Sequence, residues 1–169
     1  MSTRSLIGVL DADGRTYRAR YCHSDGYPTH QLPALGEALH EHHDGDLDRL
    51  AAKILEHDWS FIAASEATAE AADAATRSKY RPDHVQPTAG VGYHYTDHQD
   101  PEPSTGTLDE EDAGGGIEWL YLVAGDQVRA YYPVNGRWEH FGDFSAIDLK
   151  GLDQADLSAR EEAAYARRY

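Results

Sequence analysis

Ile117-Glu118-Trp119-Leu120-Tyr121-Leu122-Val123 is followed by Ala124-Gly125-Asp126 and then by Gln127-Val128-Arg129-Ala130-Tyr131-Tyr132. Two runs rich in apolar, aromatic and β-branched residues around a Gly-containing turn predict a β-hairpin. Asn135-Gly136 comes next and leads into Arg137-Trp138-Glu139-His140-Phe141. That pair takes the positive φ values of a tight hairpin turn with little strain. The three runs therefore predict a meander of antiparallel strands. Alternation puts Trp119 and Tyr121 on one face and Leu120 and Leu122 on the other, so both faces of the first strand are partly apolar.

The N-terminus repeats the signal. Ser5 to Leu10 is apolar, Asp11-Ala12-Asp13-Gly14 has turn composition, and Thr16 to His23 alternates Tyr17, Ala19 and Tyr21 with Arg18, Arg20 and Cys22. Pro33 suits the first turn of a helix running to about His43, with Leu32, Leu35 and Leu39 as its stripe and Asp44-Gly45 ending it. Asp46 is a good N-cap for a second helix, in which Leu47, Leu50, Ala51, Ile54 and Leu55 follow helical spacing. Trp59 to Ile62 reads as a turn or short extended piece, and Gln154 to Arg168 as a last helix with Ser158-x-x-Glu161 as a capping-box match. The order ββ, αα, irregular middle, βββ, α predicts an α+β fold. Its antiparallel sheet is built from the N-terminal hairpin and the C-terminal three-stranded meander, with helices packed on one face.

Residues 1–169 are expected to form a single domain with an irregular or mobile insertion at about 65–116. Ser65 to Lys79 is Ala-rich without a bulky stripe, and 81–116 carries four prolines and Gly114-Gly115-Gly116, with Val91 to Tyr95 as the one strand candidate inside it.

Fifteen Lys and Arg against 30 Asp and Glu give a formal charge of −15, which argues against direct nucleic-acid binding because phosphate contacts need a cationic face. The acids serve either solubility or a surface that mimics DNA. Their crowding between Asp97 and Asp112 favours the first reading. One cysteine, Cys22, leaves no internal disulfide and fits a reducing compartment. With no signal-type or membrane-length apolar run, the expected location is cytoplasmic, with no membrane partner.

The segment Tyr21-Cys22-His23-Ser24-Asp25-Gly26-Tyr27-Pro28 is the most distinctive in the chain. Gly26 lets the backbone bend and Pro28 stiffens the exit, so His23, Asp25, Tyr27 and Tyr21 project from a rigid corner suited to a small polar or aromatic ligand. The competing reading is a turn that satisfies its own N–H groups through Asp25 with His23 packed beneath it. Arg20, Tyr93, Trp119 and Tyr121 complete the candidate ligand-binding set, and Arg18, Arg20, Arg129 and Arg137 could make the field locally positive.

The motif Tyr-Cys-His-x-Asp-Gly-Tyr-Pro after an N-terminal hairpin resembles that of a group of small uncharacterised phage, prophage and actinobacterial proteins. His57-Asp58-Trp59-Ser60, Val91-Gly92-Tyr93-x-Tyr95-Thr96 and Glu118-Trp119-Leu120-Tyr121-Leu122 carry the same resemblance. It spans about 1–62 closely and 90–145 loosely, and the x position, often Trp in that group, is Ser24 here. The resemblance implies a phage-associated role, in the host cytoplasm if phage-encoded, exercised by binding rather than catalysis. It supplies no catalytic residues.

Other chemistry is weakly marked. His40-x-His42-His43-Asp44 and His94-x-x-x-His98 lack the three or four converging ligands of a zinc site, so neither a metal nor another cofactor is expected. Cys22 and His23 are neighbours in a strand and point to opposite faces, which rules out a dyad between them. A hydrolase or lyase using His23 and Asp25 as acid and base has no evident third member. The sequence thus points away from an enzyme. It points towards a binding protein, a sponge that sequesters a small nucleotide-like ligand or signal. The alternative is an acidic protein–protein inhibitor or DNA mimic acting on a host defence or nucleic-acid enzyme. The apolar second face of the meander leaves room for a homo-oligomer contact.

Overall fold

A computed structural model describes residues 3–65, 85–96, 102–110 and 116–168. In chain order the elements are β1 (Arg4–Leu10), β2 (Thr16–Cys22), α1 (Pro28–His42), α2 (Leu47–Ile54), β3 (Trp59–Ile62), β4 (Val85–Thr88), β5 (Gly92–Tyr95), β6 (Ser104–Thr107), β7 (Ile117–Ala124), β8 (Gln127–Val134), β9 (Arg137–Ser145), a 3-10 turn (Asp148–Lys150) and α3 (Gln154–Arg168). The fold is α+β, and both sequence-predicted strand blocks are present. The β1–β2 turn is held by Asp13, whose carboxylate accepts from the backbone N–H groups of Arg15 and Thr16 at 2.9 and 2.8 Å. Asn135 and Gly136 take φ of 52° and 75° between β8 and β9, as the Asn-Gly pair requires.

The sheet is mixed rather than antiparallel. Its nine strands run β4-β5-β3-β2-β1-β7-β8-β9, with β6 also paired to β2. β1 lies parallel to β7, with Leu6 opposite Leu120 and Gly8 opposite Leu122, and β2 meets β3 in parallel at Cys22 and Trp59. Parallel neighbours need a long crossover. For β2 and β3 the pair α1–α2 is that crossover, so the two helices connect strands as well as cover them. Gly8 permits the close β1–β2 approach: a Cβ there would lie 1.9 Å from the Arg18 carbonyl oxygen.

Alternation divides the central strands between two apolar clusters. Ile7, Cys22, Trp119, Tyr121, Val123, Val128 and Tyr132 face the helices and pack with Leu32, Leu35 and Leu39 of α1, Leu50 and Ile54 of α2, and Leu157 of α3. Leu6, Leu10, Tyr17, Ala19, Leu120, Leu122, Tyr131 and Trp138 form the second cluster on the opposite face, with Leu108 packed against it. Leu108 also bridges the sheet: its N–H donates to the Arg15 carbonyl at 3.0 Å and its carbonyl accepts from the Trp138 N–H at 3.3 Å. The chain therefore covers its own second face through the 104–110 segment. β4 and β6 are strands where the sequence reads as loop, and β5 coincides with the candidate at Val91 to Tyr95.

The helices correct two expectations. α1 begins at Pro28, five residues before the expected Pro33, which lies inside it. Pro33 cannot donate to the Thr29 carbonyl one turn back, and that carbonyl accepts instead from Gln154 Nε2 at 3.3 Å. α3 is capped by Asp153, whose carboxylate accepts from the N–H groups of Ala155 and Asp156 at 3.0 and 3.2 Å. Ser158 and Glu161 form no capping box. Glu161 reaches α1 and accepts from the Thr29 N–H at 3.1 Å, placing a carboxylate at the positive end of that helix. α2 is capped by Asp46 as expected. No helix among the described residues is long and apolar enough to cross a membrane.

Candidate binding corner

Burial alternates without interruption from 21 to 28. Cys22, Ser24, Gly26 and Pro28 are buried, and Tyr21, His23, Asp25 and Tyr27 are partly exposed. The pattern outlasts β2 because the core holds the backbone beyond it. His23 N–H donates to the Trp59 carbonyl at 3.0 Å, Ser24 N–H to Ser60 at 2.9 Å and Gly26 N–H to Thr3 at 2.9 Å. The Gly26 carbonyl accepts from the Tyr121 hydroxyl at 2.7 Å, a bond from the centre of the sheet. The left-handed residue of the corner is Asp25, with φ of 54°, not Gly26; aspartate tolerates that conformation better than most residues. Gly26 is needed for space: a Cβ would come within 2.7 Å of Ser5 Cβ.

The outward side chains have defined surroundings. Tyr21 Oη and His23 Nδ1 share a hydrogen bond at 2.7 Å. The Tyr21 N–H donates to Asp58 Oδ1 at 3.3 Å. Tyr27 is the N-cap residue of α1, and its ring meets His30 edge-on at 6.0 Å between centroids. His30 Nε2 in turn donates to the Ile62 carbonyl at 3.1 Å, so α1 enters the corner at a fixed angle. Ser24 is 1% exposed; the position where the resembled group often carries Trp faces the interior rather than the ligand side.

The inward groups are chemically quiet. Burial pushes the Cys22 thiol up to about 12, which leaves it protonated at neutral pH and a poor nucleophile. Burial also raises the Tyr121 hydroxyl well above its ordinary range, so it remains a neutral donor to Gly26. The opposite orientation of Cys22 and His23 agrees with the sequence argument against a dyad.

Tyr21, His23, Asp25 and Tyr27 share the partly exposed side of the alternation, with Tyr21 and His23 in direct contact. Of the other four candidates, Arg20, Trp119 and Tyr121 are interior, Tyr121 lying beneath the corner through its bond to Gly26, and Tyr93 is on another strand. Arg20 is 6% exposed. Its Nε donates to the Leu55 carbonyl at the end of α2 at 2.7 Å, and its Nη1 stands 3.9 Å from Asp58. It is thus a helix C-terminal cap in the interior. Tyr93 lies on β5 and stacks on Phe61 with centroids 4.6 Å apart. Trp119 and Tyr121 are both 0% exposed, within the helix-side core. Of the other arginines, Arg18 lies near Asp11 and Arg129 near Asp143, on different strands, so they make no common positive patch.

Sequence reading missed a second group. His57 and His94 stack with centroids 4.1 Å apart and planes at 15°, both edge-on to Trp59, and His94 Nδ1 shares a hydrogen bond with Thr88 Oγ1 at 2.6 Å. The pair exists because β3 and β5 are neighbours, with Trp59 opposite His94. No local signal reveals that register. The histidines near the end of α1 diverge: His40 Nε2 donates to the Ala146 carbonyl at 2.6 Å and His43 Nε2 to the Gly90 carbonyl at 3.1 Å. Among the described residues no three His, Cys, Asp or Glu side chains are placed to share a metal ion. His98, Gly114, Gly115 and much of the acidic run from Asp97 lie outside the described residues. No protein-family model matches the chain, and no curated protein or solved structure matches it.

Proposed function

We propose that the protein is a non-enzymatic binding protein whose corner at 21–28 takes a small ligand, in the manner of a sponge that sequesters a nucleotide-like compound or signal, in keeping with the phage-type resemblance of its motif. The observation that carries the reading is the strict alternation across the corner. Four buried positions are fixed by hydrogen bonds or close packing to the core. The four positions between them, Tyr21, His23, Asp25 and Tyr27, are partly exposed, with one oxygen of the Asp25 carboxylate buried. A constellation held by its supporting shell loses little freedom when a ligand arrives. The offered groups suit the base and sugar of a nucleoside, through ring contact with Tyr27 and hydrogen bonds to His23 and Asp25. The overall charge of −15 disfavours a ligand carrying several phosphates. Calorimetry against nucleosides and their mono- and oligophosphates tests the proposal, with His23→Ala and Tyr27→Ala as variants. The expected result is binding of one class that each variant weakens about tenfold or more, a loss of ~1.4 kcal/mol. Absence of binding across the panel, or binding indifferent to both variants, refutes it.

The acidic-inhibitor reading keeps one observation in its favour. Asp46, Asp48 and Asp126 line one depression with Ala146, and Asp143, Asp148, Asp153 and Asp156 line another along the adjoining 143–156 stretch. Arg160, on the rim of the second, interrupts the row. If this end contacts a basic partner, Asp46→Asn with Asp126→Asn weakens that contact and lowers its salt dependence, while His23→Ala does neither.

A further inference from the structure

Behind the corner the helix-side core changes character. Ser5 of β1 lies on the same face as Ile7 by alternation, and Ser24 continues the inward side of β2. Ser5 and Gln31 are 0% exposed, and Ser24 and Ser60 are 1% exposed. Among the described residues nothing hydrogen-bonds to the three serine hydroxyls or to Oε1 and Nε2 of Gln31. The serines are neighbours. Ser5 is the cross-strand partner of Cys22, and a Cβ on Gly26 would fall 2.7 Å from its Oγ. The Cys22 thiol lies beside that hydroxyl, but its one hydrogen goes to the Ser24 carbonyl at 3.6 Å. Ser24 meets Ser60 through the 2.9 Å bond between its N–H and the Ser60 carbonyl. Gln31 belongs to the first turn of α1, which follows the corner directly, and lies on the buried face of that helix with Leu32 and Leu35. Elsewhere this layer is mainly aliphatic side chains and aromatic rings. A hydroxyl or amide buried in such a layer without a partner is costly, and folded proteins leave few of them unmet. These groups are neutral and between them both donate and accept. Such a set is what an internal water molecule binds, usually through about three hydrogen bonds, whereas apolar cavities stay dry.

We propose that this end of the core is an internal hydration site, in which ordered water joins Ser5, Ser24 and Ser60 of the sheet side to Gln31 of α1. The corner is then supported from behind by water as well as by its backbone bonds to Thr3, Trp59 and Ser60. The inference concerns the interior wall and stands whether or not the outer side takes a ligand.

Oxygen-17 relaxation dispersion of the full chain tests it, because that signal counts long-lived water molecules and ignores exchanging hydroxyl hydrogens. Gln31→Met keeps the length of the side chain and removes its amide, and Ser24→Ala removes a hydroxyl. The expected result is a dispersion from the unaltered chain that shrinks by at least one water in Gln31→Met, with Ser24→Ala lowering it or shortening the water's residence. A dispersion unchanged in both variants overturns the proposal. Should neither variant fold, a crystal structure of the unaltered chain decides it. Water within hydrogen-bonding distance, about 3.2 Å, of Gln31 and at least one of the serines supports the site. The same side chains bonded directly to one another, with no water among them, refute it.

Discussion

Tyr121→Phe removes one oxygen and nothing else, at a residue that is 0% exposed and whose hydroxyl donates to the Gly26 carbonyl at 2.7 Å. The ring keeps its packing, so the cost is that of the bond and of a buried carbonyl left without this donor, about 1–3 kcal/mol. For a chain of this length such a loss lowers Tm by roughly 3–9 °C. A second arm comes from pH. Burial raises the Tyr121 pKa in the folded state, so the fold retains a proton that the unfolded chain gives up above about pH 10. The contribution is therefore complete below that pH and declines as pH rises through it, by up to about 1.4 kcal/mol per pH unit. Urea unfolding of both proteins at neutral pH and near pH 11 measures the two effects together. The variant should be less stable at neutral pH and should lose less on going alkaline. A difference below about 0.5 kcal/mol at neutral pH, within the range of surface substitutions, would show that the corner is not bolted to the sheet through this bond.

Three further outcomes follow from the same geometry. The Cys22 thiol, held protonated up to about 12 by burial, has the same sign. Cys22→Ala should reduce the stability lost between pH 8 and 10.5 by about 2 kcal/mol, read from urea midpoints, and native Cys22 should resist thiol reagents until the protein unfolds. Gly8→Ala places a methyl 1.9 Å from the Arg18 carbonyl oxygen; the β1–β2 ladder should give way, with at least about 3 kcal/mol lost or no folded protein by circular dichroism. Asp46→Ala removes the acceptor for the Asp48 and Arg49 N–H groups and should cost about 1 kcal/mol in thermal unfolding, with Asp46→Asn restoring most of it.

The legible parts of the fold are those fixed by neighbours in sequence. The two hairpins follow from Asp13-Gly14 and Asn135-Gly136, and α2 from Asp46 and its leucine spacing. The start of α1 was hidden because the Thr29 carbonyl, which Pro33 cannot serve, is met by Gln154, 125 positions from Thr29. The parallel seams were hidden because nothing in β1 or β7 alone sets their relative direction. β6 is disguised by Gly106, which has little strand preference of its own yet is required because a Cβ would strike the Tyr17 ring at 2.6 Å. At the corner the residue types were readable, but the inward and outward choice was not. It is imposed by Trp59, Ser60, Thr3 and Tyr121, so Gly26 reads as a flexible bend until Ser5 is seen against it. Arg20, Trp119 and Tyr121 look like ligand groups by type and are interior by placement.

The parallel seam between β1 and β7 also sets a timetable. Each flanking block, β1–β2 and β7–β8–β9, closes through turns of a few residues and can form within microseconds. Joining them brings Leu6 against Leu120, which requires closing a loop of about a hundred residues, and Leu108 can bridge Arg15 and Trp138 only after that closure. The entropy of so long a loop must be met before the seam rewards it. The docking of the two blocks along this seam should therefore be the slow event in folding, and stopped-flow refolding followed by tryptophan fluorescence checks it.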